Sequence, residues 1–550
     1  LVQGVASVFQ EAFGSFLLQE VWLGNGGSVE GSQEVQWPNF RIHLSTKDRQ
    51  GKTVSVFEQA LHDIRIQDNR ADVEVVKVAK PCPAQFPPLL TASRAAAMDC
   101  HVMGIEVNPV FRDPASGQLF PMVHKALRRR LAAAYKKGLY DFTRRHTTHR
   151  PPHYHALGPR AMVKAVWSVD AQLASVSGSF DLLLAVTPTN AEAAWRQFRS
   201  KRFERMPDFG YRPLPMDPAL LKRQLYKAPI ERVEDPTLAD LFSEQQLEID
   251  RKISLLAERG TPQFIYTSQQ LYGPIDDELL TSARESLDSS HSQEREKSGA
   301  RSVDARSFAA RAKEEIDYLK LTYPGINSRV EIRDDIVGLM VSRGNLLIGS
   351  QVKIPAYRVP AAIAHEVGTH IVTYINGLAQ PFRQLSVGLP GYEELQEGLA
   401  VFAEYLVGGL TLPRLRLLAA RVVAARMLVG GASFVEVFRE LDSNYGFTQR
   451  TAYQVTLRIF RGGGLTKDAI YLRGMLGLMK YLQNGGTLDM LYTGKLDLKH
   501  LPIIQELQLR HVLGSSPLRP SYLDLPDSLK RIEKVRSGLK LSDLTGKKRS

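Results

Sequence analysis

The sequence predicts an α+β protein with a predominantly helical second part. That part carries a small β-sheet or hairpin and follows an N-terminal α+β region. Three observations predict it. Alternating or apolar runs of strand length recur before residue 110 and again between 329 and 349. After residue 215, apolar residues repeat at three- and four-residue spacing over long stretches. The 550 residues exceed what one small core needs, while 43% hydrophobic and 23% charged residues are ordinary for a globular chain.

Residues 15–23, 40–44, 73–78 and 101–107 read as strands, and 119–145 as an amphipathic helix rich in Lys and Arg. The region is expected to span 1–155 and to end in a linker, His146-Thr147-Thr148-His149-Arg150-Pro151-Pro152-His153-Tyr154-His155. Its proline pair opposes regular structure, and its histidine spacing fits no standard metal site. A second domain is expected over 156–523. In it, 163–167 and 180–186 read as strands, 215–258 as helical, 286–306 as an exposed loop or polar helix end, and 307–321 as an amphipathic helix. Strand segments follow at 329–332, 338–342 and 346–349, with the Gly344-Asn345 pair favouring a hairpin. The hairpin precedes the chain's most informative motif and either holds a substrate backbone by strand addition or only packs on the next helix. Beyond Glu397 the chain reads as helical to about residue 513, and 524–550 as a basic tail. No internal repeat is visible.

The net charge of +13 has local maxima at 125–130, 199–205 and 530–549. Such a surface attracts anionic partners. With no zinc finger, RNA-recognition signature or aromatic-basic interleaving, no nucleic acid is expected, and the charge suits an acidic peptide or protein substrate. Cys82 and Cys100 read as two reduced thiols. No uninterrupted apolar run reaches the roughly 18 residues of a membrane span, so none is expected. The most apolar stretch, 406–434, carries four arginines and reads as buried bundle helices. The chain starts at Leu1 with no signal peptide legible in it, and a cytoplasmic location is expected.

The motif is His365-Glu366-Val367-Gly368-Thr369-His370, followed by Gln396-Glu397-Gly398-Leu399-Ala400. Two imidazoles and a carboxylate, with one coordination position left for water, make a catalytic zinc set. Zinc brings its water close to neutral pKa, and Glu366 stands beside the first histidine as general base. Pro360 suits a first helical turn. The histidines are five apart, and on a regular α-helix five residues turn about 500°, about 140° past one revolution. The site therefore requires a widened turn, most simply a π-bulge, which Gly368 would ease. Glu393, Glu394, Glu397 and Glu404 are the candidates for the third ligand. Glu397 is chosen, with Gly398 letting the two helices approach. Glu393 or Glu404 would then orient an imidazole from behind.

Together these residues resemble the flavohemoglobin expression-modulating QEGLA-motif family, bacterial relatives of the microtubule-associated tyrosine carboxypeptidases. The resemblance covers roughly 156–522, and the N-terminal region is similar to that of the longer bacterial members. It implies a gluzincin-like zinc metallopeptidase with one zinc ion, His365, His370 and Glu397 as ligands and Glu366 as general base. The widened histidine spacing is also found in dipeptidyl peptidase III-type enzymes. Eukaryotic members remove a C-terminal tyrosine from tubulin; this chain resembles the bacterial branch, where the resemblance implies the chemistry and leaves the substrate open.

The expected reaction is peptide-bond hydrolysis by a carboxypeptidase. The alternatives are an aminopeptidase or endopeptidase on the same zinc, or a non-enzymatic regulator with a structural metal, which would have no need of Glu366. A carboxypeptidase requires a donor for the oxyanion and a cation for the terminal carboxylate. In the glycine-rich stretch 458–474, Arg461, Lys467 and Tyr471 are the candidates for substrate binding, against a reading of the stretch as a plain helix connection with surface charges. No Gly-Lys-Ser/Thr follows its glycines, so phosphate binding is not expected.

Overall fold

A computed structural model describes residues 2–24, 39–46, 51–66, 69–113, 115–158, 162–288 and 301–544. The chain forms two compact units. The first comprises 1–161 with the short returns 234–238 and 505–512. Its sheet contains β1 (Phe16–Leu23), β2 (Asn39–Ser45), β3 (Asp72–Val78) and β4 (Cys100–Val107), in the order β1-β4-β2-β3. The β1–β4 and β2–β3 pairs are parallel, whereas β2 and β4 are antiparallel. Alternation along β2 buries Phe40, Ile42 and Leu44 in one core with Phe57 and Phe142, which come from helices Gly51–His62 and Pro121–His146. The histidine-rich linker begins on the last residue of helix Pro121–His146 and otherwise enters only a short turn, Tyr154–Ala156. Both thiols are free and buried.

The second unit comprises 162–233, 239–504 and 513–550. The strands expected at 163–167 and 180–186 are instead helices, Lys164–Gly178 and Leu182–Val186. Val166, Val169, Leu173 and Val176 are buried at helical spacing, and this period overrides the local β-branched character. The stretch Lys164–Ser200 has a window of mean hydropathy 1.3, 44% of it buried. It is divided among three helices, the last being Ala191–Ser200, and each is shorter than the roughly 20 residues a span requires. Helices Pro218–Leu225, Pro236–Ala257 and Ala305–Thr322 fall where helical periodicity was read. Of the exposed loop or polar helix end expected at 286–306, residues 286–288 close helix Asp277–Asp288, 289–300 lie outside the described residues, 302–304 form a short strand and 305–306 already belong to the next helix.

Three strands then form a small sheet: β5 (Val330–Arg333), β6 (Leu339–Ser342) and β7 (Asn345–Gly349), ordered β5-β7-β6. The β6–β7 turn is centred on Arg343 and Gly344 rather than on the Gly-Asn pair. Both have positive φ (47° and 76°), the twist that a two-residue hairpin favours. A Cβ on Gly344 would lie 2.3 Å from the ring of Tyr374, so the hairpin is seated directly on the following helix.

That helix runs through three joined segments: α-helical Val359–His365, π-helical Glu366–Ile371 and α-helical Val372–Leu378. Beside it lies helix Tyr392–Leu406, buried from Leu395 onward. The close approach expected of Gly398 is made to a different partner. A Cβ there would fall 2.4 Å from the Gly474 carbonyl carbon, on helix Ile470–Gln483. The glycine that admits the histidine helix is Gly409, where a Cβ would meet that of Ala361 at 2.4 Å. The stretch expected as a basic tail contains helix Pro526–Arg536, with Ile532 and Val535 buried.

These glycines make opposite predictions. Gly398→Ala should lower stability by about 1–3 kcal/mol, because neither backbone can yield to the added methyl. Gly477→Ala, in the same helix as Gly474 but with nothing within 4 Å of the new Cβ, should stabilise by about 0.5–1 kcal/mol. Urea denaturation of both variants checks the pair.

Candidate active site

His365, Glu366, His370 and Glu397 line one cleft of about 1520 Å³ within the second unit, bordered by β6, the two helices above, helix Leu412–Val429 and the 458–471 stretch. The π-turn brings the two imidazoles together, with ring centres 5.1 Å apart. Widening frees a carbonyl from the α-helical ladder, and the Thr369 hydroxyl donates to the carbonyl of Ala364 (3.1 Å), five residues back. Gly368 has no unusual φ. Its lack of a side chain instead admits Tyr522, whose ring a Cβ would meet at 2.6 Å. The Tyr522 hydroxyl lies 3.3 Å from that of Thr369 and bonds to Tyr492 (3.0 Å), bracing the distorted turn from behind.

One ligand atom from each of His365, His370 and Glu397 lies within 4.8 Å of the others. Glu397 Oε2 is 3.8 Å from His365 Nε2 and 3.6 Å from His370 Nε2. It is buried and, among the described residues, has no hydrogen-bond partner. Two ligands of a tetrahedral zinc with bonds of about 2.0–2.1 Å stand about 3.3–3.4 Å apart. The donor set and the orphaned oxygen therefore fit such an ion, with small side-chain movement.

The groups behind the trio set its protonation. Lys467 donates to Glu397 Oε1 (2.9 Å), leaving Oε2 to face the imidazoles. Burial alone would raise the Glu397 pKa, but Lys467, His370 and His365 hold it down at about 2. Glu404, 1% exposed, bonds to His365 Nδ1 (2.9 Å), Arg358 (2.9 Å) and Arg414 (2.8 and 3.1 Å). Burial pushes its carboxyl upward, but Arg414, His365 and Arg358 outweigh burial and hold it well below the usual range. As an ionised carboxylate it can only accept, so Nδ1 donates and His365 keeps Nε2 for the cleft.

Burial pushes both histidines downward. At His365 the Glu404 bond and the Glu366 and Glu397 carboxylates overcome it and raise the pKa. At His370 burial prevails and the pKa falls to about 3, keeping that imidazole neutral. Burial also lifts Glu366 to about 7, with Glu397 and Glu404 adding to the rise and His365 opposing it.

Of the two carboxylates expected to orient an imidazole, Glu404 does so and Glu393 does not. Glu393 pairs with Lys467 (3.3 Å) and Lys252 (3.5 Å). Its position one turn before Glu397 points it along the helix toward those lysines. Arg461, Lys467 and Tyr471 all line the cleft. Lys467 is occupied by two carboxylates, which argues against the substrate-binding role expected of it. Tyr471 has Arg421 and Lys467 over its ring at 5.1 and 5.4 Å. Arg461 is 4% exposed and approaches Asp468 (3.5 Å).

Sequence reasoning missed Arg358, Arg414, Arg421 and Lys495. Arg414 and Arg421 carried a usable signal, being charges seven apart on a helix too apolar to be solvated all round. Lys495 lies in no motif. Its ammonium stands over the rings of Tyr374 (5.3 Å) and Tyr392 (5.6 Å), and burial brings its pKa down to about 8.

Among known proteins, the family described as microtubule-associated tyrosine carboxypeptidase matches residues 196–540, well over half of the chain, and the chain belongs to that family. Its activity is thereby of carboxypeptidase type at a general level. Neither a curated protein nor a solved structure matches the chain.

The raised Glu366 pKa gives a signed prediction. The folded metal-free chain keeps a proton that the unfolded chain releases near 4.5, so this group's contribution is full below that pH and is lost as pH rises through about 7. After chelator treatment, Glu366→Gln should be more stable than wild type by about 1–3 kcal/mol at pH 8 and equal to it at pH 4. Denaturation at both pH values checks this; a difference independent of pH contradicts it.

Proposed function

We propose that this family member is a zinc-dependent carboxypeptidase of gluzincin-like type, holding one ion between His365, His370 and Glu397. The observation that carries the reading is the buried Glu397 Oε2, without a hydrogen-bond partner among the described residues and facing two Nε2 atoms. When bound there, zinc would polarise the scissile carbonyl and acidify water.

The chain's own residues would do the rest. Glu366, buried beside His365 and with a pKa of about 7, can take a proton from the attacking water and return it to the leaving amine. The Tyr471 phenol is raised by burial and by the Glu397 charge, so it stays protonated and can donate to the developing oxyanion. Among the described residues β6 is an edge strand lining the cleft, and its outward backbone groups suit an extended substrate.

The charges support a carboxypeptidase over an aminopeptidase. An aminopeptidase needs a free carboxylate for the substrate ammonium, whereas Glu393 is already paired with two lysines. Beside Asp181, Glu192 and Asp334, the wall offers a larger number of arginines and Lys495, an excess of positive charge that also suits acidic peptides. The free, buried thiols fit a reducing compartment, and the cytoplasm is the proposed location.

Purified zinc-loaded protein should release single C-terminal residues from N-acetylated peptides and leave C-amidated peptides intact. Glu366→Gln should retain zinc and lose about 10²–10⁴-fold in kcat. Residue release from amidated peptides with free N-termini, or full turnover by Glu366→Gln, would contradict the reading.

A further inference from the structure

Resting on that zinc reading, we propose that Gln396 is a positioning residue: through Thr373 it fixes the stretch of backbone that carries His370, and so aims that imidazole at the ion. The two histidines are held differently. His365 is turned by a side chain, since Glu404 takes its Nδ1 at 2.9 Å. A ligating imidazole ordinarily gives its second nitrogen to such an acceptor. His370 has none. Its Nε2 stands 3.6 Å from Glu397 Oε2, and among the described residues neither ring nitrogen makes a hydrogen bond. Its aim is therefore set by its backbone. That backbone lies in the π-turn Glu366–Ile371, a rare conformation that needs support from outside its own ladder.

Thr373 supplies support from the next turn. Its hydroxyl lies 2.8 Å from the carbonyl oxygen of Thr369 and 3.3 Å from that of His370. A hydroxyl has one proton, and the shorter contact takes it. Its lone pairs are then left for Gln396, whose Nε2 donates at 2.9 Å, while Oε1 lies farther off at 3.2 Å. A polar relay thus runs from the Gln396 amide through the Thr373 hydroxyl to the backbone of the π-turn, each bond polarising the next.

The relay joins two of the three ligands. Gln396 directly precedes Glu397 on helix Tyr392–Leu406, and Thr373 follows His370 by three residues on helix Val372–Leu378. Both side chains are buried, Gln396 at 5% and Thr373 at 0% exposure. An amide taken out of water is costly unless it is hydrogen-bonded, and an apolar side chain of the same length would pack there without that cost. The bond to Thr373 accounts for the glutamine. Tyr522 braces the π-turn at Thr369; Gln396 adds a tie to the helix that carries the third ligand. Because Gln396 also lines the cleft, the rival role is direct contact with substrate.

The test reads metal binding, with peptide turnover used to exclude the rival. Full-length protein stripped of metal is titrated with zinc against a competing chelator, and separately with cobalt(II), whose visible bands report coordination geometry. Wild type should bind one equivalent. Gln396→Met, which keeps the length and loses the amide, should weaken zinc about 10–100-fold and alter the cobalt bands. The Tm of its metal-free form should fall by no more than about 4 °C. Thr373→Val should weaken zinc to the same degree, and the double variant should lose no more than either single one, because both cut one relay. Thr373→Ser, which restores the hydroxyl, should bind zinc as wild type does. At saturating zinc, Gln396→Met should keep the wild-type KM for an N-acetylated peptide. Unchanged zinc affinity and cobalt bands in Gln396→Met, or losses that add in the double variant, would overturn the assignment. Unchanged affinity with a raised KM would overturn it in favour of substrate contact. If Gln396→Met fails to fold, Thr373→Val against Thr373→Ser is read in the same way. Failure of the zinc reading itself would appear already in wild type, as the absence of a stoichiometric ion, and the positioning role would fall with it.

Discussion

A carboxylate sealed inside a protein has to be balanced by neighbouring charge, and Glu397 is balanced on one side only. Lys467 takes Oε1 and keeps the group ionised, while Oε2 is left facing His365 and His370 with, among the described residues, no hydrogen-bond donor of its own. The surrounding groups are arranged to preserve that condition. Glu404 orients His365 and is clamped by Arg358 and Arg414. Glu393 shares Lys467 and is held in turn by Lys252. Positive and negative side chains alternate outward from the trio, so none of them can be removed without leaving a buried charge exposed to the low-dielectric interior.

The second constraint is geometric. Histidines five positions apart cannot meet on a regular α-helix, and the chain resolves the conflict by opening a π-turn over Glu366–Ile371. The turn is supported on both faces. Thr369 recovers a carbonyl that the widening frees, and Tyr522 fills the space left by Gly368 while reaching the same hydroxyl. On the cleft side, Gly344 sets the hairpin against Tyr374, which places an edge strand beside the trio.

Much of this was legible in the chain. The five-residue spacing called for a widened turn, and the seven-residue step from Glu397 to Glu404 put both carboxylates on one helical face toward the histidines. Glu393 was harder to read, because one-turn spacing places it near that face without saying which neighbour it meets. Gly398 was read correctly as a close contact but assigned to the wrong helix, since a sequence shows that a backbone must approach and not whose. The false strand at 163–167 arose from a short window, where the helical period shows only over the longer run from Val166 to Val176; the one at 180–186 is an apolar run that Asp181 caps as a five-residue helix, Leu182–Val186. The bond between Gln396 and Thr373 joins residues 23 positions apart on two helices, and local pattern does not carry such contacts.

The central claim is joint capture of one metal ion by two imidazoles and one carboxylate. The most direct measurement is X-ray absorption at the zinc edge on protein titrated to one equivalent. The account predicts a single tightly held zinc with two imidazole nitrogens at about 2.0–2.1 Å and the rest of a four- or five-member shell made of oxygen. It predicts that His370→Ala removes one of those imidazoles. Zinc that fails to bind stoichiometrically, or a shell unchanged by His370→Ala, would contradict it.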